Sequence, residues 1–222
     1  KKKTDINDIM ILGGSRIGML TAKEIGAQSN VKLIELDREK SYRLSNLLNN
    51  TLVINGDGRD MNLLMEEGIK NMDVFISVTG DSETNILSCV LAKNMGVKRT
   101  IAEVENMDYI TLAENMGIDT IINKKLVTAS RIFQFTTGEV VSSIKYLTGT
   151  DAEVLEFIAK EDSKIIKSPL NQINFPEGSI IGGVIRDKSS FIANGYTHIQ
   201  PDDLVVVFAL PSAIGKVSKF FN

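Results

Sequence analysis

The chain has 222 residues, 43% hydrophobic and 24% charged, the composition of a globular protein that buries a large core as one domain or as two small ones. A formal net charge of −3 supplies no basic face for a phosphate backbone, which excludes nucleic acid as a partner; Lys1-Lys2-Lys3 reads as a solvated end. The single cysteine, Cys89, excludes an internal disulfide framework and suits a reducing cytosol, and its apolar helical setting reads as a buried structural thiol.

No apolar run approaches the ~20 residues of a membrane-spanning helix and no secretory signal is visible, so a membrane role acts through a partner. The chain does not begin with methionine, as expected of a piece of something longer.

Taken in order, Ile9-Met10-Ile11-Leu12 is a strand that enters the glycine-rich turn Gly13-Gly14-Ser15-Arg16-Ile17-Gly18, and a helix follows to about Ala27. Strands are then expected at Val31–Leu36, Thr51–Ile54, Asp73–Thr79, Thr100–Val104 and Asp119–Ile122. Between them lie helical patterns through Tyr42 and Leu48, through Met61 and Met65, from Glu83 to Met95 on a stripe of Ile86, Leu87, Val90 and Leu91, and from Asp108 to Met116. Six strands separated by helix-length patterns specify an α/β fold, a Rossmann-like doubly wound parallel sheet.

The rhythm changes near Lys125. Leu126, Ala129, Ile132 and Phe133 form a helical stripe, either an internal packing helix or a subunit contact. Beyond Gly138 the candidates are strands, at Val140–Ile144, Ala152–Ile158, Ser179–Ile185, Phe191–Ala193 and Leu204–Leu210, with turn signals such as Gly149 between them. Helical character returns at Pro169-Leu170 and at Ala213–Phe221. The expected organisation is a nucleotide-binding domain with a crossover helix over residues 1–138 and a small β-rich α+β domain over 139–222.

The turn after the first strand is the setting of a G-x-G-x-x-G phosphate loop, in which the first glycine makes the tight turn and the third lets helix and strand pack closely. Gly13 and Gly18 take those places and Ser15 takes the second, with Gly14, Arg16 and Ile17 between them. Free N–H groups at the helix start and the helix dipole favour an anion there. Arg16 either neutralises pyrophosphate or is an exposed helix-start arginine.

Glu35, about twenty residues on, stands where a carboxylate accepts hydrogen bonds from adenosine ribose hydroxyls, with Asp37 as the fallback if the strand register differs by two. A 2′-phosphate beside Glu35 is repulsive, which favours NAD over NADP. In Gly56-Asp57-Gly58, Asp57 either meets an adenine edge or is a turn aspartate. Thr79-Gly80-Asp81 either borders the nucleotide or caps the next helix.

No catalytic set accompanies this fingerprint. The only histidine, His198, lies in a loop-like stretch and reads as solvated; Tyr42 and Tyr109 lack a lysine four residues on; Cys89 lacks an activating base; and His and Cys are too few for a metal site. A binding module that senses a nucleotide fits better than an NAD-dependent oxidoreductase.

Gly-Gly-Ser-Arg-Ile-Gly (13–18), Leu-Ile-Glu-Leu-Asp (33–37), Asn-Gly-Asp-Gly (55–58) and Phe-Ile-Ser-Val-Thr-Gly-Asp-Ser-Glu-Thr-Asn-Ile (75–86) resemble the RCK family, regulators of potassium conductance, in the form found in bacterial Trk potassium-uptake systems. Phe-Pro-Glu-Gly-Ser-Ile-Ile-Gly-Gly-Val-Ile-Arg (175–186) and Gln-Pro-Asp-Asp-Leu-Val-Val-Val-Phe (200–208) resemble the small C-terminal domain that accompanies RCK units.

The resemblance implies a cytoplasmic, non-enzymatic homo-oligomer, dimer or tetramer, peripheral on the inner face of the plasma membrane. It implies binding of NAD(H) or ATP/ADP and gating of a TrkH-like potassium pore subunit; the alternatives are an NAD-dependent oxidoreductase and a nucleotide-sensing module of a different transporter. By position, Gly13, Ser15 and Gly18 would face phosphates, Glu35 the ribose, and Asp57 with Thr79 the adenosine. Many relatives carry arginines after the fifth strand; Glu103 and Glu105 stand here instead, which favours a dinucleotide over a triphosphate.

Overall fold

The structure, a computed structural model, describes residues 6–137, 141–146, 152–187 and 189–222. They form two compact units that divide between Lys124 and Lys125. The boundary expected at 138/139, the turn at Gly149 and the Phe133 side chain lie outside the described residues.

In the first unit, β1 (Asp8–Leu12), β2 (Asn30–Glu35), β3 (Thr51–Asn55), β4 (Val74–Ser77), β5 (Arg99–Glu103) and β6 (Thr120–Ile122) alternate with helices α1 (Arg16–Ile25), α2 (Arg38–Leu47), α3 (Met61–Glu66), α4 (Ser82–Asn94) and α5 (Asp108–Asn115). All strand pairs are parallel, in the order β3-β2-β1-β4-β5-β6. This is the doubly wound sheet that the alternation specifies. Met10, Ile11, Leu33, Ile34 and Phe75 are fully buried, as strands covered by helices on both faces require, while edge strand β3 is only partly covered.

The chain builds β1-β2-β3 outward, returns to β4 beside β1, and builds the other way, so β1 and β4 diverge at their carboxyl ends and leave a crevice there.

Helices α1 to α4 start on side-chain caps. Ser15 accepts the Gly18 amide, Asp37 that of Lys40, Asp60 that of Asn62 and Asp81 that of Thr84, each cap contributing about 1 kcal/mol. The buried face of α4 is rotated from the expected stripe: Asn85, Ile86, Ser88, Cys89 and Ala92 face inward and Leu87 is 62% exposed. The reason is that Asn85 and Cys89 find backbone and side-chain partners inside, which an apolar pattern cannot foretell. Cys89 donates weakly to the Ile101 carbonyl, and burial pushes its thiol up to about 12, so it is an inert thiol at neutral pH.

Helix α6 (Lys124–Thr137) begins at the division between the units; along its expected stripe Ile132 is 59% exposed, as is its neighbour Val127 at 60%.

The second unit is an antiparallel sheet of β7 (Val141–Tyr146), β8 (Glu153–Ile158), β9 (Ser179–Arg186), β10 (Ser189–Ile192) and β11 (Leu204–Ala209), in the order β10-β9-β11-β8-β7, with helix α7 (Pro211–Phe221). β11 alternates half-buried and buried residues, the signature of a sheet with one face on the core. Against that face α7 buries Ala213, Ile214, Val217 and Phe221, and Phe221 stacks on Phe157 with ring centroids 4.4 Å apart. The helical character expected at Pro169-Leu170 is one short turn, Leu170–Gln172.

Asp203, 1% exposed, is compensated by Arg186, whose Nε and Nη2 each donate at 2.7 Å, and by the Gln200 amide at 2.8 Å. Burial alone raises the Asp203 pKa; the Arg186 pair and the Gln200 amide outweigh it and hold the carboxyl low. His198 Nε2 stands 2.8 Å from the Ile166 carbonyl, so the only histidine ties the loop before β11 to the turn at 164–166.

Candidate functional site

The crevice between β1 and β4 is built from the glycine turn outward. Gly13, at φ +101, hydrogen-bonds through its amide to the Ile34 carbonyl at 2.9 Å, and the Val78 amide reaches the Leu12 carbonyl at 2.9 Å, so the turn is pinned to β2 on one side and β4 on the other. A Cβ on Gly13 would sit 2.9 Å from the Thr79 backbone nitrogen, and one on Gly18 would sit 2.0 Å from the Gly13 carbonyl oxygen. Gly18 is therefore where α1 touches its own turn. The second glycine position of the motif, Ser15, caps α1 by accepting the Gly18 amide at 3.2 Å.

These bonds decide which amides can meet a ligand. Gly13, Gly14 and Gly18 donate inside the protein. Among the described residues, the Arg16 and Ile17 amides have no acceptor; they open at the helix start where the dipole favours negative charge. The exposed Arg16 side chain adds a positive charge beside them.

Glu35 ends β2 and is 7% exposed. Its Oε2 accepts the Gly14 amide at 2.9 Å and the Lys40 ammonium at 2.7 Å, and its Oε1 accepts the Asp37 amide at 3.0 Å. Burial alone raises its pKa; the Lys40 pair and the Asp37 and Gly14 amides more than offset that, and the carboxyl titrates below its usual range. The acid thus stays ionised and holds the turn to the end of β2.

Asp37, by contrast, caps α2 through the Lys40 amide at 2.7 Å. Gly14 leaves room for both neighbours: a Cβ would lie 2.3 Å from Leu44 Cδ1 and 2.7 Å from Glu35 Oε2, so either side chain would have to shift.

The loop after β3 joins the same end of the sheet. The Gly56 amide donates to the Glu35 carbonyl at 3.0 Å, and a Cβ on Gly58 would sit 2.0 Å from the Leu12 side chain, so Gly58 packs against β1. The Asp57 carboxylate is taken up by Arg59, with Arg59 Nε at 3.0 Å and Nη2 at 2.8 Å.

Thr79 lies beside Gly13 and is held by Asn85, which is 1% exposed. Asn85 Oδ1 accepts from the Ser77 hydroxyl at 2.9 Å and from the Thr79 amide at 2.9 Å and hydroxyl at 2.7 Å, while its Nδ2 donates to the Glu103 carbonyl at 2.8 Å. Gly80 is exposed and has no neighbour where a Cβ would stand.

The structure thus gathers the 13–18 turn, Glu35, Gly56, Gly58 and Thr79. Asp57 turns its charge to Arg59 and Asp37 to a helix cap.

Three further residues escaped the sequence reading. Lys40 pairs with Glu35 across β2 and α2, Asn85 ties β4 to β5, and Lys124 neutralises the buried Glu103 at 2.6 Å and meets Glu105 at 2.5 Å. Asn85 carries a signal in retrospect, a polar residue within an apolar helical face; Lys40 carries only a local one, a cation five residues after the strand-end acid, and Lys124 carries none without knowledge of strand order. Among the described residues, no cluster of three or more His, Cys, Asp or Glu is placed to hold a metal ion, and no helix is long and apolar enough to cross a membrane.

This sheet order, with a glycine turn locked to an acid at the end of β2, defines a Rossmann-like domain followed by a small antiparallel domain. The TrkA-N domain family matches residues 9–124 and the TrkA-C domain family matches residues 154–222, and the chain belongs to the TrkA family.

"Trk system potassium uptake protein TrkA homolog 2" of Methanosarcina mazei is 38% identical over 218 residues, 97% of this chain and 49% of that protein. "Trk system potassium uptake protein TrkA" of Vibrio alginolyticus is 36% identical over 203 residues, 90% of this chain and 44% of that protein. The chain spans about half the length of the curated relatives it matches.

Among solved structures, the GsuK channel bound to NAD is similar with a TM-score of 0.56 at 13% identity, over 100% of this chain and 40% of that one. The Shewanella denitrificans Kef CTD in AMP-bound form has a TM-score of 0.51 at 15% identity, over 60% of this chain and 83% of that one. At these identities the likeness is one of fold.

Proposed function

We propose that this chain is a regulatory module of a Trk-type potassium-uptake system. It binds NAD(H), or another adenine nucleotide, in the β1–β4 crevice and acts within a homo-oligomer on a TrkH-like membrane pore subunit. The observation that carries this reading is the Gly14–Glu35 bond: it holds the phosphate turn and the ribose acid in one rigid unit, with the Arg16 and Ile17 amides left to meet an anion.

Support comes from the two TrkA domain families in order along the chain and from relatives named for potassium uptake. Fold neighbours described as bound to NAD, ADP and AMP support the ligand class. Glu103 and Glu105 share Lys124, so acids stand at the end of β5 where a free cation would serve a third phosphate, which favours a diphosphate dinucleotide over a triphosphate.

The ligand regulates by unequal affinity for two arrangements of the assembly, since a ligand that binds both equally shifts nothing. The module is regulatory rather than enzymatic, placed at the cytoplasmic face through its partner.

The test is rubidium uptake by cells that lack their own regulatory subunit and carry the full-length protein with its pore subunit. Glu35→Ala, expressed at wild-type level, is expected to lower uptake by roughly tenfold, the scale of one lost charge-assisted contact. Wild-type uptake by that variant would remove the crevice from the regulation.

A further inference from the structure

A carboxylate offers about four acceptor positions, two on each oxygen. On Glu35, Oε2 is filled by the Gly14 amide at 2.9 Å and the Lys40 ammonium at 2.7 Å, whereas Oε1 holds only the Asp37 amide at 3.0 Å. A ribose diol that grips a carboxylate presents two hydroxyl donors, one to each oxygen. The second hydroxyl finds no position on Oε2 until Lys40 leaves. The two partners differ in freedom to move: the Glu35 side chain is 8% exposed and fixed by two amides, while that of Lys40 is 39% exposed. Lys40 is the member that yields, and its place in the first turn of α2 keeps its ammonium beside the ribose edge after it does.

We propose that Lys40 is the specificity-determining residue of this crevice, setting the discrimination between adenine dinucleotides with a free 2′-hydroxyl and those with a 2′-phosphate. This rests on the nucleotide reading above.

Lys40 acts in opposite directions on the two ligand classes. Against a free diol it is a competitor, because each hydroxyl bond to Oε2 is made at the cost of an ion pair, so its presence lowers affinity. Against a 2′-phosphate it is a bridge, because Glu35 alone repels the dianion and the ammonium lies between like charges. The acid therefore does not by itself exclude a 2′-phosphate; with Lys40 present the pair is neutral. The wild-type crevice discriminates weakly between the two classes, and the lysine is the reason. Arg38 opens the same helix, is exposed and makes no ion pair among the described residues, so it supplies a cation of equal charge without the contact.

The experiment is calorimetric titration of NADH and NADPH into the wild-type chain, Lys40→Met, Lys40→Arg and Arg38→Ala. Lys40→Met is expected to raise the NADH:NADPH affinity ratio by roughly tenfold or more, through tighter NADH and weaker NADPH, with Lys40→Arg staying near wild type and Arg38→Ala moving it less than about threefold. Lys40→Gln repeats the measurement if methionine leaves Glu35 too poorly compensated to fold.

An unchanged ratio in a folded Lys40 variant overturns the proposal while the crevice reading stands. A shift in Arg38→Ala equal to that in Lys40→Met overturns it too, because general potential rather than the pair would be acting. A folded wild type that binds neither dinucleotide removes the crevice reading, and this proposal with it.

Discussion

Asn85→Ala is expected to lower the unfolding free energy by about 3 kcal/mol, far beyond the loss of one helix-face contact. The side chain is 1% exposed and stands between β4, the Thr79 loop and β5. Its removal strips partners from the Ser77 hydroxyl, itself fully buried, from the Thr79 amide and from the Glu103 carbonyl. Each buried group left unpaired costs roughly 1–3 kcal/mol, and water admitted to the new cavity recovers part of the sum.

The Thr79 hydroxyl has one proton, and its 2.7 Å approach to Asn85 is shorter than its 3.2 Å approach to the Asp81 carbonyl, so it can turn to the latter and loses less. Urea denaturation reads the effect as a shift in midpoint. A loss below about 1 kcal/mol would mean that the hub carries no weight in the fold. Because the Thr79 backbone abuts Gly13, the same variant is also expected to weaken any ligand in the crevice.

Gly18→Ala is expected to weaken nucleotide binding by about thirtyfold, or ~2 kcal/mol, with a similar loss of stability. The added Cβ meets the Gly13 carbonyl oxygen at 2.0 Å, an atom of the phosphate turn's own backbone, and Val78 Cγ2 at 3.2 Å. Neither a rotamer change nor solvent exposure relieves a clash with a backbone oxygen, so α1 must move away from β1 and carry the Arg16 and Ile17 amides with it. Gly80→Ala is the matched control. That glycine lies in the neighbouring loop but has open space at its Cβ position and no positive φ, and its substitution is expected to stay within about 0.5 kcal/mol. Equal behaviour of the two variants would show that the turn does not have this geometry.

Much of this was legible in the sequence, for physical reasons that differ by element. β1 and β4 announce themselves because each is a short apolar run leading into a glycine turn, and burial on both faces erases any alternation. β11, Leu-Val-Val-Val-Phe-Ala, announces itself as an unbroken, largely β-branched apolar run; its alternation appears only in burial, with one face on the core.

The face of α4 was only partly legible: Ile86 is buried as its stripe expects, but Ser88 and Asn85 are polar and buried while Leu87 is apolar and exposed, so the buried face is rotated from the stripe. The pairing order of the second sheet was equally hidden, since β11 lies between β8 and β9 through contacts distant in sequence.

At the crevice the glycines and Glu35 could be read from spacing, because a tight turn and a strand-end acid leave local marks. Lys40 could not. It stands only five residues after Glu35, but it shares no motif with the glycines, and the spacing across a strand-to-helix turn does not say which side chain folds back onto the acid. The same holds for Asp57, whose carboxylate serves Arg59 two residues on, a local pairing that the Gly-Asp-Gly spacing does not reveal.

Titration calorimetry of NAD⁺, NADH, ATP and ADP into the wild-type chain and Glu35→Ala tests the crevice most directly. The account predicts submillimolar binding of a dinucleotide by the wild type and a loss of roughly tenfold or more in the variant, since Glu35 holds the Gly14 turn and, in the function proposed, would take the ribose. Equal affinities in the two proteins, or no binding of any of the four by folded wild type, would contradict it.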